Sequence, residues 1–268
     1  NVLSFRSLKK KLGLSKISIA ISGAAPISPE VLKFFMALGV PIFEAYGMTE
    51  NCAYVTSNDF ESIELGTVGR PHENCEIKIA EDGEILTRHG GTFKGYFKDE
   101  ESTKEVIDKE GWLHTGDVGE ITEQGSLIIT DRKKDIIITS GGKNVSPSEI
   151  ENKIKASPFI KDALVVGDKK KFLSCLVAIE FDTVSNWALR KKIPFTTYRD
   201  LTEKAEVRDL VSKEITRANE ETSTLEVRKF ELIPKELDHE DGELTATQKI
   251  KRNVIIEQFS ELVESMYK

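Results

Sequence analysis

Ile17-Ser18-Ile19-Ala20-Ile21 is followed by Ser22-Gly23-Ala24-Ala25-Pro26, and later by Val40-Pro41-Ile42-Phe43. The first segment alternates with an apolar bias and reads as a buried strand. The second is a turn. Between it and Val40, Ser28 is placed to cap a helix and Pro29 to occupy its first position. Val31, Leu32, Phe34, Phe35 and Leu38 then recur at helical spacing, and Gly39 is a natural stop. Residues 40–43 read as a second strand. Strand, helix and strand make a β-α-β unit, so the two strands are expected to be parallel. In open parallel sheets ligands bind beyond the carboxyl ends of the strands. Here those ends are residues 22–25 and 44–50.

Upstream, residues 5–12 read as a helix that the chain enters part-way, with no initiator methionine, which suggests the carboxyl-terminal part of a longer protein. Downstream, from Gly66 to Asp131, short β-type runs (76–79, 84–86, 127–130) alternate with Gly- and Asp-rich turns, predicting a small antiparallel or barrel-like subdomain. Past residues 131–135 the texture is mixed α+β. Strands are expected at 136–139, 161–166, 175–179 and 228–233, and helices at 147–156, 201–217 and 253–266. The division is therefore residues 1–132, comprising a β-α-β part (1–62) and a β subdomain (63–131), followed by a smaller α+β domain at 133–268.

The 268 residues carry a formal net charge of −7 and are 39% hydrophobic and 31% charged, which suits a packed core and a solvated surface. The acidic balance argues against nucleic acid as a partner, since phosphate contacts need clustered Lys and Arg. Cys52, Cys75 and Cys175 are widely spaced and odd in number, so neither a disulfide framework nor a zinc site is expected; the reading is a reducing cytoplasm. No apolar run approaches the roughly 20 residues of a spanning helix, and peripheral contact with a membrane stays open.

Four motifs carry chemistry. Glu44-Ala45-Tyr46-Gly47-Met48-Thr49-Glu50 follows a strand at the ligand face. It can be a plain strand-to-loop turn, or a site where glycine admits a ligand, Thr49 offers a hydroxyl and Glu50 an oxygen for a hard cation such as Mg²⁺. Trp112-Leu113-His114-Thr115-Gly116-Asp117 places an Asp beside a Gly, which is either a turn residue or a carboxylate able to grip two ribose hydroxyls. His114 reads as structural. Asp131-Arg132-Lys133-Lys134-Asp135, with Gly141-Gly142 beyond it, is either a solvated charge run or a hinge at the domain boundary. Leu244-Thr245-Ala246-Thr247-Gln248-Lys249 precedes the last helix, where a lysine is commonly just solvated.

In this order the four motifs resemble the adenylate-forming superfamily of acyl-CoA synthetases, luciferases and peptide-synthetase adenylation domains, over essentially the whole chain. Thr92-Phe93-Lys94-Gly95-Tyr96-Phe97-Lys98-Asp99 and the ending 244–252 look most like long-chain fatty-acyl-CoA synthetases; Gln248 departs from the Thr-Gly-Lys ending of many other members. The resemblance implies a large AMP-binding domain followed by a small mobile one. It implies that Gly23, Ala24 and the backbone of Glu44, Ala45, Tyr46 and Gly47 line the adenine, with Tyr46 against the purine. Thr49 would bind phosphate, Glu50 would bind Mg²⁺, and Asp117 and Arg132 would hold the ribose. Lys134 would be the hinge, Gly141 and Gly142 would pass the arm of coenzyme A, and Lys249 would bridge the carboxylate and the α-phosphate. Lys251 and Arg252 are expected to matter much less to adenylation than Lys249.

The implied reaction joins a fatty acid to coenzyme A through an acyl-adenylate, with ATP as the activating substrate. A carboxylate is a poor electrophile, and conversion to a mixed anhydride pushes charge onto the α-phosphate, where a lysine and Mg²⁺ stabilise it. The superfamily's Ser/Thr/Gly-rich phosphate loop is not in this sequence, so the chain alone is expected not to turn over. Two alternatives stay open: adenylation of a different acid for coenzyme A or a carrier protein, and a non-catalytic nucleotide-binding module.

Overall fold

The computed structural model describes residues 2–222, 225–245 and 249–268, apart from the side chains of residues 2–4. The chain divides into two units, residues 1–134 and 135–268. The division lies two residues beyond the expected one, inside a single 3₁₀ turn at Lys133–Asp135.

The first unit opens with α1 (Val2–Lys11). The β-α-β unit follows as β1 (Ala20–Ser22), α2 (Pro29–Ala37) and β2 (Ile42–Tyr46). β1 and β2 are parallel, with Ala20 opposite Ile42 and Ser22 opposite Glu44. Ser28 Oγ accepts from the Glu30 N–H at 3.3 Å, and Gly39 leaves the helix at φ +73°. Both strands sit a few residues later than the periodicity suggested. The sheet also runs past residue 62: β3 (Thr56–Ser57) pairs antiparallel with β2, and β4 (Arg70–Pro71) with β3. Gly69, at φ +79°, permits this, because a Cβ there would fall 1.9 Å from the Ser57 carbonyl carbon.

The remainder of this unit is an antiparallel meander of β5 (Glu76–Ile79), β6 (Glu84–Arg88), β7 (Leu113–Ile121) and β8 (Leu127–Arg132), in that order. The outer strands are not paired with each other, so of the antiparallel and barrel-like expectations the antiparallel one describes the sheet. A helix the sequence reading passed over, α3 (Glu100–Val106), is capped by Asp99.

The second unit opens with the two-stranded ribbon β9 (Ile137–Ile138) and β10 (Asn144–Val145), then α4 (Pro147–Lys155). Its sheet is β11 (Ile160–Val166), β12 (Leu173–Ile179) and β13 (Val227–Leu232), antiparallel and then parallel. β12 reads as an unbroken apolar run because both of its faces are covered. Leu173, Cys175, Val177 and Ile179 enter one core with residues of α4, α5 (Phe181–Lys191), α6 (Tyr198–Thr202) and α7 (Ala205–Glu220). Leu176 and Ala178 enter a second core with α8 (Arg252–Gln258) and α9 (Ser260–Ser265).

Two helices expected to be continuous are broken. Lys204 turns extended (ψ 131°) between α6 and α7, and Phe259 (φ −106°) separates α8 from α9. α5 was missed because Thr183, Val184, Ser185 and Asn186 are weak helix formers; burial of Val184 and Ala188 overrides them. Among the described residues no helix is long and apolar enough to cross a membrane.

Candidate nucleotide site and motif geometry

In the first unit the two loops leaving β1 and β2 lie side by side, as parallel pairing requires. A Cβ on Gly23 would meet the Ala45 carbonyl oxygen at 3.0 Å, and the next residue, Ala24, sits at φ +67°. Gly47 is glycine for a reason internal to the loop: a Cβ there would lie 2.4 Å from the Ala53 backbone. That loop closes as a 3₁₀ turn, Thr49–Asn51, with the buried Asn51 side chain accepting from the Met48 N–H at 2.7 Å. Thr49 is exposed at its start.

Asp117 is the centre of the site, and it is a strand residue rather than the turn residue the flanking Gly suggested. It lies in β7 opposite Arg132 of β8, between register shifts that follow Glu84 on one side and Val118 on the other. Asp117 is 6% exposed. Its Oδ2 accepts from the Tyr46 hydroxyl at 2.7 Å, and its Oδ1 lies 3.0 Å from Arg132 Nε. Each carboxylate oxygen has two lone pairs, so both keep capacity for a further donor. Burial, and then the Asp117 charge beside it, push the Tyr46 phenol well above its ordinary value.

The Tyr46 ring packs with Val55, Cys75, Ile85 and Leu127 and is 8% exposed. What the structure shows of Tyr46 is thus a core ring whose hydroxyl fixes Asp117, not an open stacking surface. Gly116, Arg132, Lys133 and Lys134 line an open cleft of about 320 Å³ beside it.

Two participants escaped the sequence reading, and a third was named there only for its backbone. Tyr96, in the motif used only for classification, donates its hydroxyl to Glu50 Oε1 at 2.9 Å, and the Phe93 N–H donates to the Glu50 carbonyl at 2.7 Å. Glu44 contributes more than backbone: its side chain is buried, Oε2 has no partner, and burial raises its carboxyl to about 7 against the Gly66 N–H that lowers it. Glu84 lies 3.3 Å from His114 and holds that imidazole in place. Among the described residues no group of three or more His, Cys, Asp or Glu is placed to hold a metal. Mg²⁺ commonly takes one or two carboxylates plus phosphates and water, so a lone Glu50 fits that ion better than a protein cage would.

The second unit carries the other two motifs. Gly141 and Gly142 form the tip of the β9–β10 ribbon, where Gly142 (φ +76°) donates to the Thr139 carbonyl at 2.9 Å. A Cβ on either would meet nothing within 3.4 Å. Lys249 is paired with Thr245. Its N–H donates to Thr245 Oγ1 at 3.0 Å and its carbonyl accepts from the Thr245 N–H at 2.8 Å, with Leu244 bridged to Ile250 and the Lys251 N–H on the Glu243 carbonyl. Ala246, Thr247 and Gln248 of that motif lie outside the described residues. Arg252 is a structural anchor: it reaches the buried Glu151 at 2.6 Å and the Val165 carbonyl at 2.9 Å.

The loops after β1 and β2 thus lie beside a buried Asp117 that is bonded to Tyr46 and to an exposed Arg132, and Lys249 follows in the α+β unit. The AMP-binding enzyme family matches residues 2–97 and the AMP-binding enzyme C-terminal domain residues 134–268. The chain belongs to this family. It is 38% identical over 267 residues to the long-chain-fatty-acid–CoA ligase FadD15 of Mycobacterium bovis, covering 99% of this chain and 44% of that protein. It is 34% identical to the long-chain-fatty-acid–CoA ligase ACSBG2 of Gallus gallus, covering 99% and 38%. The chain therefore spans less than half the length of these relatives. Among solved structures it is similar to the AMP complex of O-succinylbenzoate coenzyme A synthetase from Bacillus subtilis (TM-score 0.67, 26% identity, 94% of this chain and 48% of that one). The anthranilate CoA ligase AuaEII shares the fold (TM-score 0.71, 20% identity, 94% and 45%).

Proposed function

We propose that this chain is the part of an AMP-forming fatty-acid–CoA ligase that binds the nucleotide and carries the catalytic lysine, and that the acid is a long-chain one. The observation that carries the reading is the Asp117 carboxylate, buried and preset by Tyr46 and Arg132 with lone pairs to spare for two ribose hydroxyls. Gly23, Ala24 and the backbone of residues 44–47 would line the adenine. Thr49 would donate to a phosphate. Glu50, oriented by Tyr96, would hold Mg²⁺, which supplies charge neutralisation to the phosphates when bound. Lys249 would place its ammonium at the α-phosphate as the acid attacks and pyrophosphate leaves. Lys134 would be the hinge, and the Gly141–Gly142 ribbon tip would pass the pantetheine arm while the thiol displaces AMP. No nucleophilic side chain is needed. A cytoplasmic protein with peripheral contact to a membrane would suit a fatty-acid substrate.

The test is acid-dependent ATP–pyrophosphate exchange by the full-length protein across acids of increasing chain length. Exchange that rises with chain length supports the reading; exchange with none of them refutes it. The isolated 268-residue chain should not form acyl-CoA at a rate comparable to the full-length protein. Asp117→Ala should weaken ATP binding by tenfold or more, on the order of the 1.5–3 kcal/mol of charge-assisted hydrogen bonds, as read by calorimetry; unchanged affinity would remove Asp117 from the site.

A further inference from the structure

One carboxylate ties the strand that presents Asp117 to the residue before Lys134. Glu84 opens β6 and is 6% exposed. Its Oε1 accepts from the Gly116 N–H at 2.9 Å, and its Oε2 accepts from Lys133 Nζ at 3.0 Å. Gly116 lies inside the register shift between β6 and β7, where ladder pairing passes from Leu86–His114 to Glu84–Val118. A bulge leaves residues out of the ladder. Here the Glu84 carboxylate takes the Gly116 N–H, with Gly116 in the left-handed region at φ +69°. The next residue is Asp117. Thus Glu84 sets the backbone that aims the ribose carboxylate without facing the ribose itself.

The other half of the contact concerns the hinge. Lys133 is held twice, by Glu84 and by Asp82 at 2.6 Å. A hinge is a few residues that absorb a large φ/ψ change while their neighbours stay fixed. With Lys133 pinned by two carboxylates of its own unit, any such change begins after it, at Lys134.

We infer that Glu84 is a positioning residue that couples the nucleotide carboxylate to the fixed side of the hinge, through Gly116 on one oxygen and Lys133 on the other. The inference rests on the nucleotide and hinge roles proposed above. It predicts that Glu84 serves two functions that can be separated at Lys133.

The experiment uses the full-length protein and its Glu84→Gln, Lys133→Met and double variants. Two quantities are measured: AMP affinity by calorimetry, and amide hydrogen exchange of residues 131–137 with and without AMP. Glu84→Gln keeps the size and an acceptor but loses the ion pair. It should weaken AMP by about threefold to tenfold, as loss of a charge-assisted bond does, and speed exchange in 131–137. Lys133→Met should lower AMP affinity by less than Glu84→Gln does, yet speed exchange in the same segment. The double variant should exchange no faster than Lys133→Met alone, because Lys133→Met already removes the bond that the two variants share, along with the one to Asp82.

If Lys133→Met exchanges like the wild type in 131–137, or if exchange rises across the whole first unit, the coupling is overturned. If Glu84→Gln does not fold, the Lys133→Met comparison decides alone. A wild-type protein that fails to bind AMP would overturn the nucleotide reading and this inference with it. Normal AMP binding with unaltered exchange in both single variants would overturn this inference only.

Discussion

In residues 135–268 one three-stranded sheet is buried on both faces, with Leu173, Val177 and Ile179 in one apolar core and Leu164, Leu176 and Ile255 in another. In residues 1–134 the apolar cluster around the candidate site is Tyr46, Val55, Cys75, Ile85 and Leu127. What orders this first unit around its site is polar: Asp117 with Tyr46 and Arg132, Glu84 with Gly116 and Lys133. The second unit is shaped by apolar area removed from water, which is non-directional and tolerant of detail. The first is shaped by a few directional contacts, each of which loses its value if one partner is removed. A unit built the second way suits a carrier that must stay intact while it moves; one built the first way suits a site that must hold one geometry.

The comparison can be broken at one point inside the apolar unit. Arg252 is its buried polar anchor, with the pair's side chains 17% and 8% exposed. Arg252→Ala would strand Glu151 and should destabilise the second unit by about 3–5 kcal/mol. Lys251→Ala beside it should cost within about 0.5 kcal/mol. The sequence contains two tryptophans, Trp112 in the first unit and Trp187 in the second, so urea unfolding followed in a Trp112→Phe background reports the second unit alone. Equal effects of the two substitutions would remove the anchoring role from Arg252.

The same background sharpens the contrast in packing. Leu176→Ala, at a fully buried position, should cost about 2–5 kcal/mol. Phe34→Ala, half exposed in the isolated 268-residue chain, should cost that chain within about 0.5 kcal/mol, read through Trp112 in a Trp187→Phe background. Similar costs at the two positions would erase the distinction.

A smaller effect separates the units by pH. Glu44 has its carboxyl raised by burial from 4.5 to about 7. The folded first unit therefore holds a proton that the unfolded chain gives up between those values. Stability from this group is fully present below about pH 4.5 and is lost as pH rises toward 7, by up to about 3 kcal/mol. Glu44→Gln should flatten that slope in the Trp112 signal and leave the Trp187 signal unmoved. A slope that survives the substitution would assign it to another group.

The sequence displayed what periodicity can display. The β-α-β order around Ser28 and Gly39, the apolar run of β12 and the change of texture near residue 132 were all readable, because each is a local pattern. Tyr46 and Asp117 were singled out by their motifs, but not their bond, since they are 71 residues apart. Glu84 gave no signal at all: one acidic residue after a glycine in a short strand looks like any turn-proximal Glu, and its value appears only once Gly116 and Lys133 are folded onto it. The breaks at Lys204 and Phe259 were invisible for a related reason. The apolar spacing runs straight through both, and only packing against the sheet decides where each helix bends.

The proposed division of labour, a polar unit that holds the nucleotide and an apolar one that carries Lys249, is tested most directly at that lysine. Its backbone N–H and carbonyl are both bonded to Thr245. In the full-length protein Lys249→Ala should slow fatty-acid-dependent pyrophosphate exchange by about 10²–10³, as loss of one preorganised charge donor does. Given preformed acyl-adenylate and coenzyme A, the same variant should form thioester at a near-normal rate. Unchanged exchange, or equal loss in both half-reactions, would contradict it.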